Sequence, residues 1–247
     1  MPKLLTSRAI GPLLAVALAA TAVAQEPRPQ GPLTTPVAAN QRRHAEFLEV
    51  AKAGNIDLLF VGDSITDWWR NRGRPVWDRT WAPLNAANFG IAGERVEQLL
   101  WRMQNGELEG FKAKVIVLMI GTNNLRVTPA NQDIAEGIAF LCAEIQKRQP
   151  QAKLLLLGIF PRDPAPGTPN RERITTINAQ LAKLEDRRTL FYMDIGDKFL
   201  AADGTIPPDV MYDGLHPAER GYEIWADAIL PKIKDLMSGS RLLKNAT

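Results

Sequence analysis

The residue types that acyl transfer requires occur at four separated points of the chain. Ser64 closes an apolar run in "LLFVGDSITDWW", residues 58–69. A serine hydroxyl is a poor nucleophile until a neighbouring base takes its proton. The sequence has two histidines, His44 and His216. His216 stands in "MYDGLHPAERGYEIW", three residues after Asp213 and across a glycine. That spacing lets the carboxylate fold back onto the imidazole and fix its tautomer. Pro217 suits the first turn of a following helix. His44 lies among charged neighbours in a helical pattern, where a solvated surface position is expected. Attack on a carbonyl also needs donors for the oxyanion that forms. The Ser64 N–H at a helix start, the Asn123 amide and the unobstructed N–H of Gly93 are candidates.

Each of these residues also has a plainer role. Serine at a strand-to-helix junction is a common N-cap, and taken alone Ser64 fits a cap better than a nucleophile. Gly93, Asn123 and Asn124 suit ordinary turns. Other site types fit poorly. A nucleophile elbow needs G-x-S-x-G, and Thr66 stands where the second glycine would be. No phosphate loop of the form G-x-x-x-x-G-K-[ST] occurs, and Gly90 with Gly93 makes only half of a dinucleotide fingerprint. What favours chemistry is the convergence of several polar groups at the positions where an α/β fold builds its sites.

Those positions follow from the elements. Strand patterns run over 57–62, 84–90, 114–121, 153–160 and 189–194, and three of them are continuous apolar runs, as parallel strands covered on both faces require. Helical patterns precede and separate them: one ending at Gly54, then 94–103, 131–149, 170–186 and 218–237. This alternation predicts an α/β fold, a parallel sheet with helices on both faces and right-handed crossovers. Sites in such sheets form beyond the carboxyl ends of the strands, where Ser64, Gly93, Asn123 and the Asp213–His216 loop all fall. The first and third strands are expected to be neighbours, bringing Ser64 and Asn123 together.

Residues 1–24 carry Lys3 and Arg8, an apolar run from Leu13 and the small residues Ala22-Val23-Ala24. These are the parts of a signal peptide, and the run is shorter than the roughly 20 residues that span a bilayer. A secreted or periplasmic protein with no stable membrane span is expected. Proline-rich residues 25–38 read as a flexible lead-in, 39–237 as one catalytic domain and 238–247 as a loose tail. The full chain has a formal net charge of +3. Without Lys3 and Arg8 it carries 28 basic and 27 acidic residues, a net of +1, with no basic stripe for nucleic acid. Arg42-Arg43 and Arg171 to Arg173 are expected on solvated faces. Cys142, the single cysteine, lies in an apolar helical pattern and reads as a buried structural thiol, so stability must come from a core rather than disulfides.

The blocks "GDSIT", "NFGIAG", "GTNN" and "DGLHP" resemble, in order, the four sequence blocks of the SGNH (GDSL-type) hydrolases. The resemblance covers nearly all of residues 40–236. It is strongest to the catalytic subunits of brain-type platelet-activating-factor acetylhydrolase. It implies a flavodoxin-like three-layer α/β/α sandwich with a five-stranded parallel sheet and no metal or organic cofactor. It also implies Ser64 as nucleophile, Asp213 and His216 as its partners, and an oxyanion hole from Ser64, Gly93 and Asn123. Those brain enzymes are intracellular, whereas exported members of the wider family often deacylate carbohydrates, so a small acyl ester of a carbohydrate or lipid is the expected substrate. Thioester or lysophospholipid hydrolysis is the alternative at the same site, and a non-catalytic glycan-binding or partner-binding module the alternative outside catalysis. Trp68 and Arg162 are candidate substrate contacts. At least one of Trp68 and Trp69 is expected in the core.

Overall fold

The computed structural model describes residues 32–242; the expected signal peptide and the first part of the lead-in lie outside the described residues. Five strands, β1 (Leu58–Gly62), β2 (Ala86–Gly90), β3 (Val115–Met119), β4 (Lys153–Leu157) and β5 (Leu190–Met193), form one parallel sheet in the order β2-β1-β3-β4-β5. β1 pairs Gly62 with Gly90 of β2 on one side and with Met119 of β3 on the other. Ser64 and Asn123 therefore leave neighbouring strands, as expected.

Period-two alternation sorts the strand side chains between two cores. Leu59, Val61, Ile116, Leu118, Leu154 and Leu156 face α1 (Gln41–Ala53), α4 (Val96–Gln104), α5 (Asn131–Arg148) and α6 (Pro169–Leu181). Leu58, Phe60, Val115, Val117, Leu155 and Leu157 face the other layer. That layer is built from the short α2 (Ser64–Asp67), α3 (Arg74–Thr80) and α7 (Glu219–Leu242). Both faces are covered, which explains the unbroken apolar runs. The second core is aromatic: Trp69, Trp81, Tyr222 and Trp225 are fully buried around Phe60.

Several boundaries differ from the sequence reading. β3 and β4 end at Met119 and Leu157 rather than at Gly121 and Phe160. At Ile159 the Asn178 side chain accepts from the N–H at 2.9 Å and donates to the carbonyl at 3.0 Å, substituting for a sheet neighbour. Glu94 and Arg95 belong to a turn before α4, and α6 stops at Leu181 and continues as a 3-10 turn, Ala182–Leu184. Within the expected lead-in, Pro32–Thr34 forms a 3-10 turn whose Leu33 is buried in the core, and the Val37 N–H donates to the Glu97 carbonyl. Packing thus starts before residue 39. At the other end α7 runs on to Leu242, past the expected limit at 237. Among the described residues no helix is long and apolar enough to cross a membrane.

The arginine expectations also need correcting. Arg42 is solvated, but Arg43 lies over the Phe47 ring at 4.5 Å and 3.8 Å from Asp67. Arg171 donates to the carbonyls of Arg162, Asp163 and Gly204, and Arg173 to those of Leu125, Thr128 and Pro129. Both arginines tie down loops whose carbonyls have no sheet or helix partner, a need invisible in local sequence.

Candidate active site

Ser64 is the first residue of α2, placed directly beyond the end of β1. Two glycines make that placement possible. A Cβ on Gly62 would lie 2.3 Å from the Met119 carbonyl oxygen and from Thr66 Oγ1, and one on Gly90 would lie 2.2 Å from the Asp67 nitrogen. Only residues without side chains let α2 fold down onto the strand ends. Asn88 holds it there, donating from Nδ2 to the Thr66 carbonyl at 2.9 Å. From the opposite side the buried Tyr222 hydroxyl of α7 donates to the Ile65 carbonyl at 2.7 Å.

The helix cap is Asp63, not Ser64. Asp63 Oδ1 accepts from the Ile65 N–H at 3.0 Å, which leaves the serine hydroxyl without a capping task. Ser64 Oγ instead lies 2.9 Å from His216 Nε2. His216 Nδ1 lies 2.7 Å from Asp213 Oδ2, and Asp213 Oδ1 accepts from the N–H groups of His216 at 2.8 Å and Leu215 at 3.1 Å. The carboxylate folds back over Gly214, whose φ of 71° the turn requires. Burial works against the Asp213 charge, but the His216 ring and the two amides outweigh it and hold the carboxyl below its ordinary range. An imidazole with a carboxylate on Nδ1 and a hydroxyl at Nε2 is arranged to take the hydroxyl proton.

The other expected residues border this chain of bonds. Gly93 is exposed at φ 81°, and a Cβ there would meet nothing within 4 Å, so conformation rather than space calls for glycine. Asn123 Nδ2 donates to the Glu94 carbonyl at 2.9 Å, which orients its amide against the Gly93–Glu94 turn. Asn124 is turned away from the surface: its Oδ1 accepts from the Val96 N–H and its Nδ2 donates to Glu97. Trp68 is half-buried with its ring 4.1 Å from that of His216, while Trp69 is core. Exposed Tyr212 extends this aromatic wall, stacked 6.2 Å from Trp68 with the Arg72 guanidinium 3.7 Å over its ring. Arg162 donates to the Thr122 carbonyl at 3.2 Å and lies 3.7 Å from Asp163, so it braces the loops after β3 and β4.

Three features escaped the sequence reading. Asp63 is completely buried, its Oδ2 has no hydrogen-bond partner, and burial pushes its carboxyl up to about 7. His44, expected on a solvated face, is buried with Nδ1 2.8 Å from Glu107 Oε1. Arg102 is fully buried between Glu94 and Glu107. The one local hint was an arginine inside the apolar helical face "LLWRM". Cys142 is buried as expected, and burial pushes its thiol up to about 12.

Residues 60–224 match the model of the GDSL-like Lipase/Acylhydrolase family. The alpha2 subunit of platelet-activating factor acetylhydrolase IB from Rattus norvegicus is 38% identical over 181 residues, covering 73% of this chain and 77% of that protein. Among solved structures, a GDSL-like lipase from Bacteroides thetaiotaomicron aligns with a TM-score of 0.64 at 20% identity, covering 79% of this chain and 98% of that one. An acetylxylan esterase from Geobacillus stearothermophilus aligns with a TM-score of 0.58 at 20% identity, covering 74% and 96%. The chain belongs to the GDSL-like lipase/acylhydrolase family and is a carboxylic ester hydrolase.

Proposed function

We propose that the chain removes small acyl groups, acetyl foremost, from esters of a carbohydrate through an acyl-enzyme on Ser64. The observation that carries the chemistry is the unbroken line Ser64 Oγ–His216–Asp213, with separations of 2.9 and 2.7 Å, at the carboxyl edge of the sheet. His216 Nε2 takes the Ser64 proton as Oγ attacks the ester carbonyl. The Ser64 and Gly93 N–H groups and the second Asn123 amide hydrogen hold the oxyanion. His216 then gives its proton to the departing alcohol; in the second step it takes a proton from the water that attacks the acyl carbon and returns it to Ser64 Oγ as the C–Oγ bond breaks and the acid leaves. Asp213, held ionised by its three donors, supports the imidazolium at each step.

Acetyl is favoured because platelet-activating factor acetylhydrolase and acetylxylan esterase, otherwise dissimilar in their named substrates, share that group. A carbohydrate alcohol suits the exposed Tyr212 and half-buried Trp68 beside His216, since aromatic faces pack well on sugar rings. The signal-peptide-like pattern of residues 1–24 supports a site of action outside the cytoplasm.

A labelled fluorophosphonate should attach to Ser64 and leave Ser64→Ala untouched. p-Nitrophenyl acetate should be cleaved far faster than the octanoate, and acetylated xylo-oligosaccharides faster than a glycerophospholipid acetyl ester. Labelling elsewhere would remove the nucleophile assignment. Preference for octanoate or for the phospholipid would remove the substrate assignment alone.

A further inference from the structure

Arg102 of α4 is a charged side chain with no solvent exposure. Withdrawing a guanidinium from water costs several kcal/mol, which only close and complementary partners offset. It has three such partners. Glu94 Oε2 lies 2.8 Å away, the Phe89 carbonyl accepts from Nη2 at 2.9 Å, and Nη1 donates to Glu107. Glu107 is itself fully buried and holds His44 with its other oxygen. Well-packed apolar side chains often replace such a network at no loss of stability, so its presence here calls for another reason.

Its position supplies one. Phe89 and Glu94 flank the stretch Gly90–Gly93, so one guanidinium grips this turn at both ends. The first half of the turn is tied to the strand ends, where the Gly90 N–H donates to Asn88 Oδ1 at 2.9 Å and the Ile91 N–H to the Gly62 carbonyl at 3.1 Å; its second half, where Gly93 is exposed, is closed by a 3.3 Å bond from the Glu94 N–H to the Ile91 carbonyl. The main-chain carbonyl of the same Glu94 receives Asn123 Nδ2. Glu94 is thus anchored through its side chain to Arg102 and through its main chain to Asn123, next in sequence to Gly93. Arg102 also offsets the negative charge that Glu94 would otherwise set beside a developing oxyanion.

We propose that Glu94 and Arg102 are positioning residues that hold the Gly93 N–H and the Asn123 amide as a preorganised pair of oxyanion donors. The proposal rests on the assignment of those donors made above. Neither side chain touches substrate; each acts through the turn it fixes.

The test uses Glu94→Gln, close to isosteric, with Arg102→Met as a second variant, each checked for a native thermal transition. On p-nitrophenyl acetate, kcat of Glu94→Gln should fall ~10-fold or more, short of the ~10²–10³ expected for losing a donor outright, while KM stays within ~3-fold. Fluorophosphonate labelling of Ser64 should slow in parallel. In an Asn123→Ala background the same substitution should cost markedly less, because part of what Glu94 holds is already gone. A folded Glu94→Gln with wild-type kcat and labelling rate overturns the proposal. So does an equal loss with and without Asn123, which would mark a general structural defect. If Arg102→Met does not fold, the Glu94→Gln cycle decides alone. Absence of labelling in the wild-type chain overturns the nucleophile assignment instead, so the two failures are distinct.

Discussion

The two histidines each place Nδ1 against a carboxylate, at 2.7 Å in His216–Asp213 and 2.8 Å in His44–Glu107. Their surroundings differ. The His44 side chain is 8% exposed, packs edge-on to Trp101 at 4.8 Å, and shares its carboxylate with Arg102. The His216 carboxylate is partnered by the ring and two backbone amides instead, and its Nε2 faces Ser64. A histidine–carboxylate pair therefore does not define a catalytic base. What defines it is a reactive partner on the far nitrogen, at an edge open to substrate.

Four substitutions sharpen that contrast, in descending order of effect. His216→Ala should lower kcat on p-nitrophenyl acetate ~10⁴-fold or more, whereas folded His44→Ala should stay within ~10-fold of wild type. Comparable losses in both would erase the distinction. Asp213→Asn should lower kcat ~10³–10⁴-fold by presenting the wrong tautomer. Its counterpart Glu107→Gln should spare most activity but destabilise the fold by about 3 kcal/mol, read by denaturant unfolding, because Arg102 and His44 lose an ionic partner in the core. His44→Ala should cost stability of the same kind and smaller size, about 1–2 kcal/mol.

The last prediction concerns Asp63 and is read from the pH dependence of stability rather than from activity. Burial raises its carboxyl from 3.8 to about 7 in the folded chain. A raised value means that the folded state holds the proton more tightly, so the associated stability is present below about pH 4 and lost as pH rises through 7. Asp63→Asn keeps an oxygen to cap α2 and never ionises. Its stability relative to wild type should thus improve between pH 4 and pH 8; an unchanged difference across that range would count against a neutral buried Asp63.

What the sequence made legible was whatever lies in short contiguous blocks. The apolar runs of β1, β3 and β4 disclose a doubly covered parallel sheet, and the Asp213–His216 spacing discloses a carboxylate folded onto a ring. The misreadings of His44, Arg171, Arg173 and β4 involve partners distant in sequence. His44 looks solvated until the turn after α4 brings Glu107 to it from 63 residues away. Arg171 and Arg173 look like a charged surface run until the loops near residues 125–129 and 162–164 turn their carbonyls toward them. β4 looks longer than it is because Asn178 of α6 takes over the hydrogen bonds of Ile159. Ser64 alone looks like a cap, and its neighbour Asp63 performs that task.

The separation of Ser64 from His216, 152 residues, has a consequence in time. Chains are made from the N-terminus at ~5–20 residues per second, so the serine precedes its histidine by ~10–30 s. The lock on Ile65 and the Trp225 wedge against Phe60 arrive later still, with α7. Throughout that interval the nascent polypeptide carries a harmless hydroxyl. On the proposed assignment of Ser64 and His216, ester cleavage therefore awaits completion of the fold itself.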